Sequence, residues 1–197
     1  MRELGASSAR QPGFRTDCAL PMDFTLFDTP IGACALVWGA RGLVGALLPE
    51  SNQAATRARI GRRFPLAREA PPPAAVQNTI ARIDALLHGV PDDLADVVLD
   101  MAKVPPFHRR VYAIARAIPP GATLTSGEVA VRVGEPHASR AVGQALGANP
   151  FPIIVPCHRV LAAGGRAGGF SAEGGIRTKL RLLQIEGAVF GGAPGLF

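Results

Sequence analysis

A residue able to attack carbon and one able to move protons stand side by side, Cys157 and His158 in Pro156-Cys157-His158-Arg159-Val160. A thiol reacts as its thiolate, and an adjacent histidine offers a base or a cation that favours that form. Pro156 fixes its own φ and cannot donate to a ladder, so it holds the next side chain in a set direction. Upstream, Phe151 to Val155 are apolar and interrupted by proline. They predict a short buried strand leading to an apical turn. Most free cysteines are small buried hydrophobes rather than nucleophiles. Cys34, on a predicted strand, fits that description; Cys157 is expected to be the nucleophile.

The rest of the composition bounds the setting for such a thiol. The three cysteines, Cys18, Cys34 and Cys157, form no close pair and no CxxC. That argues against a disulfide framework and a cysteine-rich zinc site, so no metal and no cofactor is expected. A reducing, cytoplasmic location fits a working thiol. No apolar run is long enough for a spanning helix, and the N-terminus lacks a secretion signal. Residues 1–20 predict a disordered tail and 188–197 a second one. The net charge is +6, distributed unevenly. Residues 101–197 carry 11 Lys/Arg against 4 Asp/Glu, whereas residues 1–100 carry 10 against 11. A basic surface around the cysteine predicts a polyanionic partner, most simply nucleic acid.

The elements that must position the thiol predict an α+β fold in two domains. Residues 21–100 form an N-terminal α/β domain with a small antiparallel sheet. Its meander over 22–48 turns at Asp28-Thr29-Pro30 and at 39–42. Ser51 is the expected cap of a helix over 52–64, and 74–87 is an amphipathic helix ended by His88-Gly89. Residues 97–99 offer a short strand. Residues 101–187 form a helical, winged helix-turn-helix-like domain that carries the cysteine. Its helices are expected over 107–117, 125–133, 137–146 and 176–185. A short helix, a glycine turn and a second helix with Arg140 and Gln144 outward is the pattern that enters a DNA groove, although any small helical hairpin shares it. A glycine-rich turn over 164–168 follows the cysteine.

Taken together, residues from about 106 to 187 resemble the O6-alkylguanine-DNA alkyltransferases. The match is carried by Arg140-Ala141-Val142-Gly143, Asn149-Pro150, the PCHRV element, Gly169-Phe170-Ser171, Lys179, Leu182-Leu183 and Glu186-Gly187. The resemblance implies a suicide repair protein that moves an alkyl group from O6-alkylguanine, with O4-alkylthymine as a second candidate lesion, to its own cysteine. It implies a monomeric protein acting on double-stranded DNA containing alkylated guanine. The damaged base is extruded from the stack, since its O6 substituent is out of reach inside the duplex. By position, Cys157 is the acceptor, His158 activates it through a water, Glu186 orients the histidine and Asn149 is the hinge asparagine. Arg140 is the arginine that fills the vacated space. Thr125, Ser126, Ala138, Ser139, Gln144 and Arg159 complete the implied DNA contacts. Ser126, Leu146, Val160, Phe170 and Ser171 line the implied base pocket.

One position departs from the family. Ser126 stands where its members usually carry a tyrosine that crowds the flipped nucleotide and bonds the base. Two rivals therefore remain open on the sequence: a lesion sensor that binds DNA with little or no transfer, and a cysteine hydrolase. Cys157 speaks against the first, and the basic helical pair is unexplained by the second.

Overall fold

The computed structural model describes residues 21–189; the predicted 1–20 tail, Cys18 and residues 190–197 lie outside that range. The N-terminal half is a four-stranded sheet made of β1 (Met22–Phe27), β2 (Cys34–Gly39), β3 (Gly42–Leu47) and β4 (Ala67–Glu69) in the order β3-β2-β1-β4. The meander β1-β2-β3 is antiparallel as expected, but β4 joins β1 in parallel, so the sheet is mixed. A crossover helix makes that pairing possible. This is α1 (Gln53–Arg63).

Burial on both faces explains why β2 does not alternate in polarity. Ala35 and Val37 pack with Leu47 and Ile60 beneath α1. Leu36 and Trp38 face the larger core with α2 (Ala74–Leu87), whose Ile83, Leu86 and Leu87 are buried. That same core continues through Val111, Val142, Phe151, Val155 and Leu182, so apolar side chains from both halves form one cluster. Helix α1 is capped by Asn52, whose side chain accepts from the Ala55 amide at 2.9 Å. Ser51, the expected cap, instead has its own amide bound to Glu173 at 3.0 Å. Residues 97–99 make a single parallel bridge, Leu43 with Leu99, rather than a strand.

The second half begins with α3 (Pro106–Arg116), opened by proline where a missing N–H costs nothing. Two-residue strands β5 (Leu124–Thr125) and β6 (Val160–Leu161) pair in parallel. Between them lie α4 (Ser126–Val133) and α5 (Ser139–Gly147); α6 (Ile176–Ile185) follows. Gly134, at φ 87°, ends α4 in the left-handed conformation that favours glycine. Helix α5 starts two residues later than predicted, because the Ala138 amide still closes the turn onto the Glu135 carbonyl. The Tyr112 hydroxyl donates to the Ala145 carbonyl at 2.8 Å and fastens α3 to α5. Among the described residues no helix is long and apolar enough to cross a membrane.

The expected strand over 151–155 does not form. Asn149 replaces it with a side-chain-closed turn. Its Oδ1 accepts from the Phe151 amide at 2.9 Å and its Nδ2 donates to the Val155 carbonyl at 2.8 Å. The Val155 amide then returns to the Phe151 carbonyl at 2.7 Å. Ile153 sits at φ 73°, a strained value for a β-branched residue, held there by burial.

Helix α4 opens with a capping box in which the Thr125 hydroxyl accepts from the Glu128 amide and the Glu128 carboxylate accepts from the Thr125 amide at 2.6 Å. Thr125→Ala removes one half of that exchange. It should destabilise the protein by about 1 kcal/mol, while Thr125→Ser, which keeps the capping hydroxyl, should leave stability nearly unchanged. Urea denaturation of the three proteins measures this; equal midpoints would show that the box does not hold α4.

Candidate active site

Cys157 opens a 3-10 helix, Cys157–Arg159, directly after the Asn149 turn. The Cys157 amide donates to the Val155 carbonyl at 2.8 Å, the oxygen that Asn149 also holds. The thiol is therefore set by backbone geometry rather than by the end of a strand. The N-terminal sheet braces the same turn, since the Ala46 amide of β3 donates to the Pro150 carbonyl at 2.8 Å.

Behind the thiol lies a buried ionic cluster. Glu186, just past α6, has a side chain only 3% exposed. Its Oε1 lies 2.9 Å from His158 Nε2 and 2.8 Å from Arg159 Nη2, and its Oε2 accepts from Arg159 Nε at 2.9 Å. Arg159 Nη1 donates to the Ile118 carbonyl at 2.6 Å. Burial alone would raise the Glu186 pKa, but the bonds from His158 and Arg159 outweigh it and hold the carboxyl at about 2. An ionised carboxylate only accepts, so Nε2 of His158 carries the proton. Nδ1 is then the basic nitrogen, and it is buried with no hydrogen-bond partner. Burial lowers the His158 pKa against the pull of Glu186, so the imidazole is neutral at neutral pH and can act as a base.

The neighbouring histidine predicts a lowered thiol pKa. The structure shows the opposite balance, because burial pushes Cys157 up. The groups that oppose burial are first the Asn149 side chain and then the Lys179 ammonium. Lys179 is 3% exposed and donates to the Val160 carbonyl at 2.6 Å. Its own pKa is lowered by burial, with Cys157 pulling the other way. Cys34 is a different kind of thiol. It is buried with the Thr29 hydroxyl 3.7 Å away, and its pKa is pushed up to about 12.

Two cavities meet at Cys157. The larger, about 410 Å³, is lined by Ser126, Leu146, Val160, Phe170, Ser171 and Lys179 among others. The parallel β5–β6 pair sets Leu124 against Val160 and Thr125 against Leu161, so Ser126, the first residue of α4, reaches the cavity that Val160 and Leu161 also line. All five pocket residues expected from the sequence thus line one cavity with the thiol. The smaller, about 190 Å³, shares Leu146, Gly147, Phe170 and Ser171 with the first and adds Leu48, Pro152, Arg59 and Arg63. Arg140, Ser139 and Gln144 are exposed on α5, with Ala138 half-buried at its start. Thr125 is half-buried and its hydroxyl is engaged with Glu128. Arg159 does not join this surface: it is 1% exposed and committed to Glu186 and Ile118, so it is a strut rather than a DNA contact. Lys179, Arg59 and Arg63 were not assigned roles on the sequence. Arginines in a helix rich in Ala and Arg read as solvated charge, and only the tertiary fold brings two of them into a cavity with the thiol.

A helical unit braced by a mixed sheet thus sets a buried, directed cysteine in front of an ionised Glu186–Arg159 pair and a neutral His158. The family described as 6-O-methylguanine DNA methyltransferase, DNA binding domain, matches residues 106–188. A methylated-DNA–protein-cysteine methyltransferase of Methanothermobacter thermautotrophicus is 35% identical over 158 residues, 80% of this chain and 81% of that protein. The crystal structure of the Mycobacterium tuberculosis OGT in complex with DNA matches at TM-score 0.68 and 32% identity, covering 84% of this chain and 92% of the other. The O6-methylguanine-DNA methyltransferase of the archaeon Pyrococcus kodakaraensis matches at TM-score 0.65 and 26% identity, over 85% and 99%. The chain belongs to the methylated-DNA–protein-cysteine methyltransferase family.

Glu186→Gln leaves Arg159 buried without its counter-charge. Breaking a buried pair in this way costs about 3–5 kcal/mol. The folded pKa of Glu186, about 2, lies below the unfolded value of about 4.3, so its contribution is present above that value. It is lost as pH falls toward the folded pKa. Denaturation midpoints between pH 7 and pH 2.5 should show a large deficit in Glu186→Gln at neutral pH that narrows in acid. A deficit independent of pH would mean that the carboxylate charge is not what the cluster needs.

Proposed function

We propose that this protein repairs double-stranded DNA by moving the alkyl group of O6-alkylguanine irreversibly to Cys157. The observation that carries the reading is the thiol at the edge of a base-sized cavity with a neutral histidine behind it whose Nδ1 has no other partner. His158 takes the thiol proton through a bridging water. The Cys157 sulfur attacks the alkyl carbon, the bond from that carbon to O6 breaks, and the guanine leaves with a proton in place of the alkyl group. The thioether persists, so each molecule acts once. Ser171 and the main chain of Cys157 and Val160 hold the base. Lys179, the cation of the same cavity, offsets charge on the sulfur before attack and on the purine afterwards.

Helices α4 and α5 with the β5–β6 pair act as a winged helix-turn-helix on the duplex. Arg140, exposed near the start of α5, occupies the place of the extruded nucleotide while keeping its charge near phosphates. Mass spectrometry after incubation with a duplex containing O6-methylguanine tests the reading. The wild type should gain one stable methyl, mapped to Cys157, and Cys157→Ala should bind the duplex without gaining mass. A methyl on Cys34, or release of methylated product with turnover, would overturn it.

Ser126 offers a hydroxyl but no ring at the mouth of the base cavity. Extrusion is therefore less supported than in relatives with tyrosine there. Ser126→Tyr should speed single-turnover transfer from a paired lesion more than from a mismatched one, where unstacking costs less. If the paired lesion were slowed most, serine would not be the weak point in extrusion.

A further inference from the structure

Cys157 borders two cavities, and the base occupies only one of them. The second lies between the two halves, with Leu48 and α1 of the N-terminal half closing one side of it. Arg59 and Arg63, one turn apart on α1, line it together with Leu48, Pro152, Phe170 and Ala172. No acidic side chain lines it. The nearby carboxylates are engaged elsewhere: Glu50 pairs with Arg59, and Glu173 accepts from the Ser51 amide. Arg63 has no carboxylate partner among the described residues. Its guanidinium lies 5.5 Å from the centroid of the Phe64 ring. Desolvation and then the neighbouring Arg59 charge disfavour its charged form. A second cation beside an unpaired guanidinium is relieved by an anion, and Leu48, Pro152 and Ala172 give the way to it an apolar side, with Asn149 and Ser171 as the uncharged polar residues of the lining.

We propose that this second cavity receives the alkyl substituent of the lesion, and that Arg63, backed by Arg59, selects substituents that end in a carboxylate. The inference rests on the function proposed above. In a displacement the sulfur, the reacting carbon and O6 lie in line, so whatever the carbon carries must project sideways. With guanine in the Ser126 cavity, the way past the thiol runs between Leu146-Gly147 and Phe170-Ser171, the walls common to both cavities. A methyl group ends at the thiol and never meets the arginines. An ω-carboxyalkyl group extends along the apolar walls of Leu48 and Pro152 and presents its anion to Arg63. The transfer balances as for methyl: the S–C bond forms, the C–O6 bond breaks, guanine leaves with one proton, and the carboxylate stays on the substituent, now a thioether of Cys157.

The test is single-turnover transfer from one duplex sequence carrying O6-methylguanine or O6-(ω-carboxyalkyl)guanine of increasing chain length, each carboxylate matched by its uncharged carboxamide. The wild type should transfer the best-fitting carboxylate about tenfold faster than its carboxamide, the effect of one charge-assisted contact. Arg63→Met should abolish that ratio and leave methyl transfer within about twofold, while Arg63→Lys should keep part of the ratio. Equal rates for carboxylate and carboxamide at every length would overturn the proposal. So would an Arg63→Met protein that binds undamaged duplex more weakly and slows every lesion alike, since the arginine would then be serving a DNA phosphate. If the wild type transferred no methyl at all, the functional reading itself would fail and this inference with it.

Discussion

The Glu186 carboxylate is the group on which the rest of the site depends. Burying a charge is unfavourable unless every bond lost to water is replaced. Here both oxygens are answered, one by His158 and Arg159 together and the other by Arg159 alone. Arg159 has donors left over, and one reaches the Ile118 carbonyl beyond α3. One buried anion therefore ties together the end of α6, the cysteine's own 3-10 helix and the exit of α3. It also decides the chemistry, because an acceptor at Nε2 leaves the lone pair of His158 at Nδ1. A structural staple and a choice of tautomer are the same set of bonds.

That arrangement resolves an apparent conflict in the thiol. A reactive cysteine is expected to have a low pKa, yet burial raises that of Cys157. A buried neutral thiol is the inert form of the side chain. Asn149 and Lys179 favour the thiolate, but not by enough to win at rest. The proton has to be taken by a base at the moment of reaction, and a neutral imidazole is available for that. The activating device is a poised base rather than a standing thiolate.

Much of this was legible in the sequence, with identifiable failures. Helices α2 and α6 begin and end where periodicity and glycine or histidine stops place them, because local signals and packing agree there. The stretch 151–155 read as a strand and is a turn. Its apolar residues are buried in either case, but the Asn149 amide supplies hydrogen bonds that a ladder would otherwise have given. Nothing in an apolar run announces that its backbone is satisfied by one side chain upstream. Arg159 failed for a related reason. An arginine beside a catalytic pair in a basic half reads as a contact for phosphate, and its true partner stands 27 residues later, across the fold.

The N-terminal half shows the limit most clearly. Residue types there gave no sign of chemistry, since Arg59 and Arg63 lie in a helix whose pattern reads as a solvated face. The sheet edge changes their meaning. One backbone bond from Ala46 to Pro150 fixes β3 against the cysteine turn, and α1 packs on that sheet through Ile60. Two guanidiniums spaced to share a helix face are thereby brought to the wall opposite the thiol. Charge that looks like surface solubility in a linear chain becomes part of a cavity once the shared apolar core and the Ala46–Pro150 bond seat the sheet against the cysteine turn.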